Sequence, residues 1–291
     1  MERNTEVFGL IRKGNIMKYM HFNSSCSYAS IANLLYLKDI DTEDYMIAKT
    51  INLPYILLKD GGTYLVGPML QSKEIFDIYL NSIGYEFVEE KCTKDDVIKT
   101  LKASDENYML GVNFSKGNKH AIIFIEYKDN VFNFINNKHE ESDEPDRFTW
   151  AAEELKERLD EETHLAHIEK ISAKKIDLKE ILLASIKNLN SLKEDINSFS
   201  KKEITQLELR ESMNTLFRAA ILDSVAMFEL LGEDALLERT KEIQKEFITV
   251  IKEGKERLVL EEEMDISDLA DVIDEWKRLM KKNFEEYEYR K

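Results

Sequence analysis

Residues 23–35 read Asn23-Ser24-Ser25-Cys26-Ser27-Tyr28-Ala29-Ser30-Ile31-Ala32-Asn33-Leu34-Leu35. Tyr28, Ile31, Ala32 and Leu35 recur at the spacing of one helical face, so the stretch predicts a buried helix with Cys26 in its first turn. Ser24 or Ser25 is of the type that caps a helix start. Free N–H groups and the positive end of the helix dipole favour a thiolate there, which makes Cys26 a nucleophile candidate. The ordinary alternative is an inert cysteine packed as a small hydrophobe.

Further along, Gly117-Asn118-Lys119-His120 reads as a turn and Ala121-Ile122-Ile123-Phe124-Ile125 as a strand. Lys128-Asp129-Asn130 supplies a second turn, and Val131-Phe132-Asn133-Phe134-Ile135 returns as an alternating strand ending in Asn136-Asn137. The register of this hairpin decides which asparagine meets the histidine, because a slip of one residue turns every side chain to the other face. With His120 opposite Asn136, Ile122 faces Phe134 and Phe124 faces Phe132, giving one apolar face. With His120 opposite Asn137, Phe124 faces Asn133. The first arrangement is the more self-consistent, so Asn136 is the expected orienting residue. Taken singly, His120 is a strand-start residue and Asn136 a turn former. Taken with Cys26 they supply nucleophile, base and a group that holds the base.

In this order the three residues resemble the papain-like superfamily, in which a cysteine opens the central helix and a histidine and an Asn or Asp come from adjacent strands of the following sheet. The resemblance covers roughly residues 15 to 170. It looks closest to bacterial members, namely bacteriocin-leader peptidases and the cysteine-protease-like acyltransferases of natural-product assembly, such as those of butirosin and closthioamide biosynthesis. It implies an α+β fold with an antiparallel sheet and Cys26, His120 and Asn136 as the catalytic set. Two departures stand out. Met20 occupies the place, six residues before Cys26, where papain-like proteases usually carry a Gln for the oxyanion, and the nucleophile is flanked as Ser25-Cys26-Ser27 rather than Asp-Cys-Gly. Asn23, beside the backbone N–H of Cys26, is the candidate oxyanion donor, with a plain turn residue as the alternative.

A chain of 291 residues, 43% hydrophobic, is long enough for two domains. The expected division is a papain-like catalytic domain over 1–171 and an all-α helical bundle over 172–291. From Ser172 onward only Gly232 and Gly254 interrupt long amphipathic segments, at about Asp177 to Ser198, Ile204 to Leu231, Asp234 to Leu258 and Ile266 to Tyr287. Before that point, helices are expected at Asp44 to Ile51, Met69 to Ser82, Thr93 to Ala103 and Thr149 to Leu159, with Asp60-Gly61-Gly62-Thr63 as a loop. His164 and His167 are expected on one helical face, but no third ligand stands at metal spacing, so neither zinc nor another cofactor is expected. Arg210, Glu211, Arg218 and Asp223 read as a solvated face, an ion-pair network or the lining of a pocket.

Met1-Glu2-Arg3-Asn4 is followed by no apolar leader region, and no run is long enough to span a bilayer, so a cytoplasmic protein is expected. Cys26 and Cys92 then form no disulfide framework, and the acidic neighbours of Cys92 disfavour its thiolate. A net charge of −16 argues against nucleic acid as a partner and suits cationic small molecules. Much of that charge lies in Glu140-Glu141-Ser142-Asp143-Glu144-Pro145-Asp146, after Asn136. Such a run either steers an amine toward a cleft or is a solvated loop.

Three functions fit. In the first, Cys26 takes an acyl group from a thioester and an amine captures it as an amide; the resemblance implies an acyl or peptidyl carrier-protein thioester as donor and a cationic amine, such as a diamine, as acceptor. An acidic carrier would need a basic docking patch, for which Lys174-Lys175 and Lys281-Lys282 are candidates. In the second, water is the acceptor and the protein is a cysteine peptidase acting on a peptide or leader sequence. In the third, the chain is a pseudoenzyme scaffold.

Overall fold

The structure is a computed structural model and describes residues 17–115 and 118–289. The first four residues and Gly117, on which part of the reading above rests, lie outside them. In chain order the elements are α1 (Cys26–Tyr36), α2 (Asp44–Thr50), β1 (Leu57–Asp60), β2 (Thr63–Val66), α3 (Lys73–Ser82), β3 (Tyr85–Thr93) and α4 (Lys94–Ala103). There follow β4 (Tyr108–Ser115), β5 (Asn118–Lys128), β6 (Val131–Asn136), β7 (Arg147–Trp150), α5 (Ala152–Arg158) and β8 (Glu162–Lys170). The remainder is α6 (Lys179–Ser200), β9 (Glu203–Thr205), α7 (Gln206–Ser212), a π-helical turn (Arg218–Asp223), α8 (Ser224–Leu231), α9 (Asp234–Glu253), β10 (Arg257–Val259), α10 (Leu260–Glu263) and α11 (Ile266–Tyr289).

Two compact units use the chain twice each. One takes the residues up to 47 with 87–169, and the other takes 48–86 with 170–291. The expected cut after residue 171 lies beside the last of these transitions, whereas the assignment of 48–86 to the later helices has no counterpart in the sequence reading.

The first unit is α+β. Its six-stranded sheet has the order β3-β8-β4-β5-β6-β7, and the pairs β4–β5, β4–β8, β5–β6 and β6–β7 are antiparallel. Helix α1 packs on β4 and β5. Val97, Ile98 and Leu101 of α4 and Leu155 of α5 form one cluster with Leu110, Val112, Ile122, Phe124, Phe132 and Phe134 of the sheet. The alternation of β5 explains both contacts: Ile122 and Phe124 enter that cluster, while Ile123 is equally buried outside it.

A two-residue turn sets the register of β5 and β6. Asp129 and Asn130 both have positive φ, 52° and 65°, the signature of the tight hairpin turn whose twist matches the strands. Lys128 pairs with Val131 and Tyr127 with Phe132; the register then shifts between Phe124 and Glu126, so that Phe124 pairs with Phe134 and Ile122 with Asn136. The expected pairing of His120 with Asn136 is therefore displaced by two residues. Two residues preserve the alternation, so the apolar face keeps the expected members and Asn136 stays on the same face as His120. The segment expected as a turn at His120 is strand, because β5 begins at Asn118 and His120 pairs with Val112.

Two other expectations in this unit are corrected. Trp150 lies on β7, paired with Phe132, and the helix begins at Ala152. His164 and His167 lie on strand β8, where residues three apart point to opposite faces. His164 Nδ1 pairs with Glu89 Oε1 at 2.9 Å and His167 Nε2 with Glu169 Oε1 at 3.0 Å.

The second unit is predominantly helical but not all-α as expected. Its core joins Leu57, Tyr64 and Val66 to Leu189, Leu192, Phe217, Phe247 and Trp276. The loop expected at Gly61-Gly62 is the tip of the β1–β2 hairpin, which α6 holds: Ser185 Oγ accepts from Leu57 N at 3.0 Å and Asn188 Nδ2 donates to Leu57 O at 2.9 Å. Trp276 Nε1 donates to Pro54 O at 3.0 Å. The helix expected over 204–231 is broken, since Ile204 pairs with Leu258 in β9–β10. Thr205 then caps α7, its Oγ1 accepting from Glu208 N at 3.3 Å. Arg218 Nε binds Asp223 Oδ2 at 2.9 Å within the π-helical turn.

The turn at Asp129-Asn130 gives a test of what fixes the hairpin. Asn130→Val, which places a branched Cβ in the left-handed region, should lower stability by roughly 1–2 kcal/mol, whereas Asn130→Gly should be neutral or mildly stabilising. Urea unfolding of both variants checks this.

Candidate active site

Cys26 is the first residue of α1 and is partly exposed. Among the described residues no side chain caps this helix. The expected serine cap is absent because Ser25 Oγ donates instead to Asp44 Oδ2 at 2.6 Å, and Ser24 lies in a turn with φ 62°. Asp44 is fully buried. It also accepts from His21 N at 2.8 Å and pairs with His21 Nδ1 at 2.7 Å. One carboxylate thus ties both ends of the turn that leads into α1, and among the described residues no side-chain oxygen caps the helix entrance.

His120 approaches from the sheet. Strand β6 stops at Asn136, opposite Ile122, so β5 has no β6 partner at His120 and Ala121. There the His120 imidazole and the Ala121 backbone act on the Cys26 thiol. Burial opposes ionisation of Cys26, but the hydrogen bond and charge of His120, the Ala121 backbone and the Ser27 side chain outweigh it and hold the thiol below its usual range. Burial likewise disfavours the imidazolium, yet the Cys26 hydrogen bond and charge, the Asn137 backbone and Glu144 raise His120 above an ordinary histidine. Each group stabilises the charged form of the other. The Phe114 ring meets the imidazole edge-on at 5.8 Å.

The two asparagines are both buried and do different things. Asn136 Nδ2 donates to Glu144 Oε2 at 3.0 Å and to Pro145 O at 3.3 Å. Among the described residues its Oδ1 is buried without a hydrogen-bond partner, and so is His120 Nε2. These two atoms belong to residues on one face of adjacent strands, and the Asn137 backbone also acts on the imidazole. Asn137 is satisfied: Nδ2 donates to Ser30 Oγ at 2.6 Å and to Ala121 O at 2.9 Å, while Oδ1 accepts from Asn33 Nδ2 at 2.8 Å. It fastens α1 to β5.

Asn23 is exposed in the turn before Cys26 and makes no hydrogen bond among the described residues. Met20 contributes its backbone, its N donating to Lys138 O at 2.8 Å and its O accepting from His139 Nδ1 at 2.8 Å. Cys92, on β3, carries a thiol raised by burial and by Glu90 and Asp96. Among the described residues no group of three His, Cys, Asp or Glu side chains is placed to hold a metal, and no helix is long and apolar enough to cross a membrane.

Sequence reasoning missed Asp44 and Glu144. It also passed over one legible signal: Ser30 and Asn33, polar residues on a helix buried nearly all round, imply a buried polar partner.

No described protein family matches the chain, and no curated protein does either. Among solved structures, the peptidase domain of Streptococcus ComA, a bi-functional ABC transporter involved in a quorum-sensing pathway, aligns with a TM-score of 0.38 and 9% identity over 52% of this chain and 96% of that one.

The opposite shifts of the two thiols predict selective chemistry. Cys26 should react with iodoacetamide at a pH below that of a free thiol and faster than Cys92; mass spectrometry of the labelled peptides measures both rates. His120→Ala should return Cys26 to slow alkylation. Asn137→Ala, by leaving buried groups of α1 and β5 unpaired, should cost on the order of 3 kcal/mol in urea unfolding.

Proposed function

We propose that the protein is a cysteine-dependent acyltransferase of papain-like layout, which forms an amide by moving an acyl group from a thioester to an amine through a Cys26 acyl-enzyme. The observation that carries this reading is the mutually charge-stabilising Cys26–His120 pair at the open entrance of α1. The Cys26 thiolate attacks the thioester carbonyl and the carbonyl oxygen takes the negative charge. As the tetrahedral intermediate collapses, the carbon–sulfur bond to the donor breaks and His120 gives its proton to the departing thiolate. The amine then attacks the acyl-enzyme, neutral His120 takes the amine proton, and Cys26 leaves as a thiolate, restoring the ion pair. Asn136 is assigned to hold the imidazole, and the N–H of Cys26 with Asn23 to the oxyanion.

One feature supports an amine rather than water as acceptor: the acidic loop after β6 reaches the site through Glu144. The proposed donor is a carrier-protein thioester. Lys174 and Lys175, exposed and in no ion pair among the described residues, are its proposed docking point, with exposed Lys281 and Lys282 as the alternative.

Acyl-pantetheine thioesters should leave a Cys26 adduct that persists without amine and discharges to an amide when a diamine is added, followed by intact-protein mass spectrometry. Rapid amine-independent hydrolysis, or peptide cleavage as the faster reaction, would assign the same residues to a peptidase, and the absence of any adduct would leave a scaffold. Cys26→Ala and His120→Ala should abolish turnover. Asn136→Ala should lower it strongly without abolishing it, because the imidazole survives and still samples the productive pose.

A further inference from the structure

We infer that Glu144 is a positioning residue that orients Asn136 and supports the imidazolium of His120, a role resting on the nucleophile reading above. The acidic run after β6 holds five carboxylates, at Glu140, Glu141, Asp143, Glu144 and Asp146. They are not equivalent. Lys138 Nζ pairs with Asp146 Oδ1 at 2.9 Å and donates to Ser142 O at 3.0 Å, folding the loop back on the strand end. Asn136 N donates to Asp146 O at 2.9 Å. This closure brings the Glu144 carboxylate onto Asn136 Nδ2 at 3.0 Å, with Pro145 O as a second acceptor at 3.3 Å.

An amide whose nitrogen is committed to two acceptors has its oxygen fixed on the other side. Among the described residues Asn136 Oδ1 is buried without a hydrogen-bond partner, and so is His120 Nε2 on the same sheet face. Reversal of the amide would aim Nδ2 at the imidazole and oppose two oxygens at Glu144 and Pro145. The carboxylate thus chooses which atom His120 meets, and its charge acts on the imidazole as well. The other groups around His120 leave this role to Glu144. Cys26 of α1 is the proposed ion-pair partner itself, the Asn137 backbone carries no charge, Phe114 of β4 is uncharged, Lys119 of β5 is paired with Asp160 at 2.8 Å, and Lys138 is paired with Asp146.

The sign of the effect is defined. Removing a negative charge beside an imidazolium makes it lose its proton at lower pH, so the window in which thiolate and imidazolium coexist narrows from its basic side. The test is histidine titration by ¹⁵N NMR on the full chain, with His120 assigned by its loss in His120→Asn, for wild type, Glu144→Gln, Glu144→Ala and Glu141→Gln. Glu141→Gln removes the same charge from the same loop at an exposed residue with no hydrogen bond among those described. Glu144→Gln and Glu144→Ala should move the His120 titration to lower pH, cutting the imidazolium population on its basic limb by roughly 2- to 10-fold, while Glu141→Gln leaves it in place. Unchanged titration in both Glu144 variants, or an equal shift in Glu141→Gln, would overturn the proposal. Wild-type Cys26 alkylating no faster than Cys92 would instead remove the nucleophile reading on which it rests, so the two failures are told apart. Glu144 is exposed, and matching thermal melts of the variants confirm that folding is not what changes.

Discussion

The buried side chain of Asn137 joins the two elements that carry Cys26 and His120. Its amide nitrogen is shared between Ser30 of the helix and the carbonyl of Ala121 on the strand, and its oxygen is taken by Asn33, one helical turn further on. Hydrophobic packing of α1 against β4 and β5 tolerates small rotations and slides, because it is non-directional. Three directional bonds between buried groups do not. They set how far along the strand the helix entrance stops, and that stop is what brings a thiol beside an imidazole.

Two shortages shape the site. The shorter of two paired strands, β6, ends at Asn136 and exposes the edge of β5 at the residues Cys26 approaches. The helix start is left without a side-chain cap because Asp44 draws the Ser25 hydroxyl to itself. Burial alone would favour the neutral thiol and the neutral imidazole. A partner able to carry the opposite charge works against that, drawing the Cys26 thiol down and the His120 imidazole up from their usual ranges.

Residues whose placement follows from local periodicity were legible in the sequence. The nucleophile helix, the hairpin and its apolar face of Ile122, Phe124, Phe132 and Phe134 all follow from alternation or helical spacing. The pairing was off by two residues because register is set by turn chemistry and by a strand irregularity, and only the turn leaves a mark in the residues. Asp44 and Glu144 were not legible: a carboxylate in a surface-like run has the same sequence signature whether it is solvated or pointed into a site. The strand at His164–His167 read as helix because a short segment of mixed polarity carries no period of its own, and its conformation comes from pairing with β4. The recruitment of 48–86 into the helical unit rests on contacts with residues more than a hundred positions away, such as Leu57 with Ser185.

The hydrogen bonds of Asn137 to Asn33 and Ser30 span 104 and 107 residues of chain. Between the two lie residues 48–86, which belong to the other unit. Closing so long a loop costs chain entropy before any contact repays it, and contacts of this kind slow folding more than they alter final stability. During synthesis, α1 emerges well before the strand that fastens it, and Cys26 therefore spends that interval as an ordinary thiol. The surroundings that lower its pKa belong to the finished fold, complete when the chain has reached Asn137, and not to the helix that bears it.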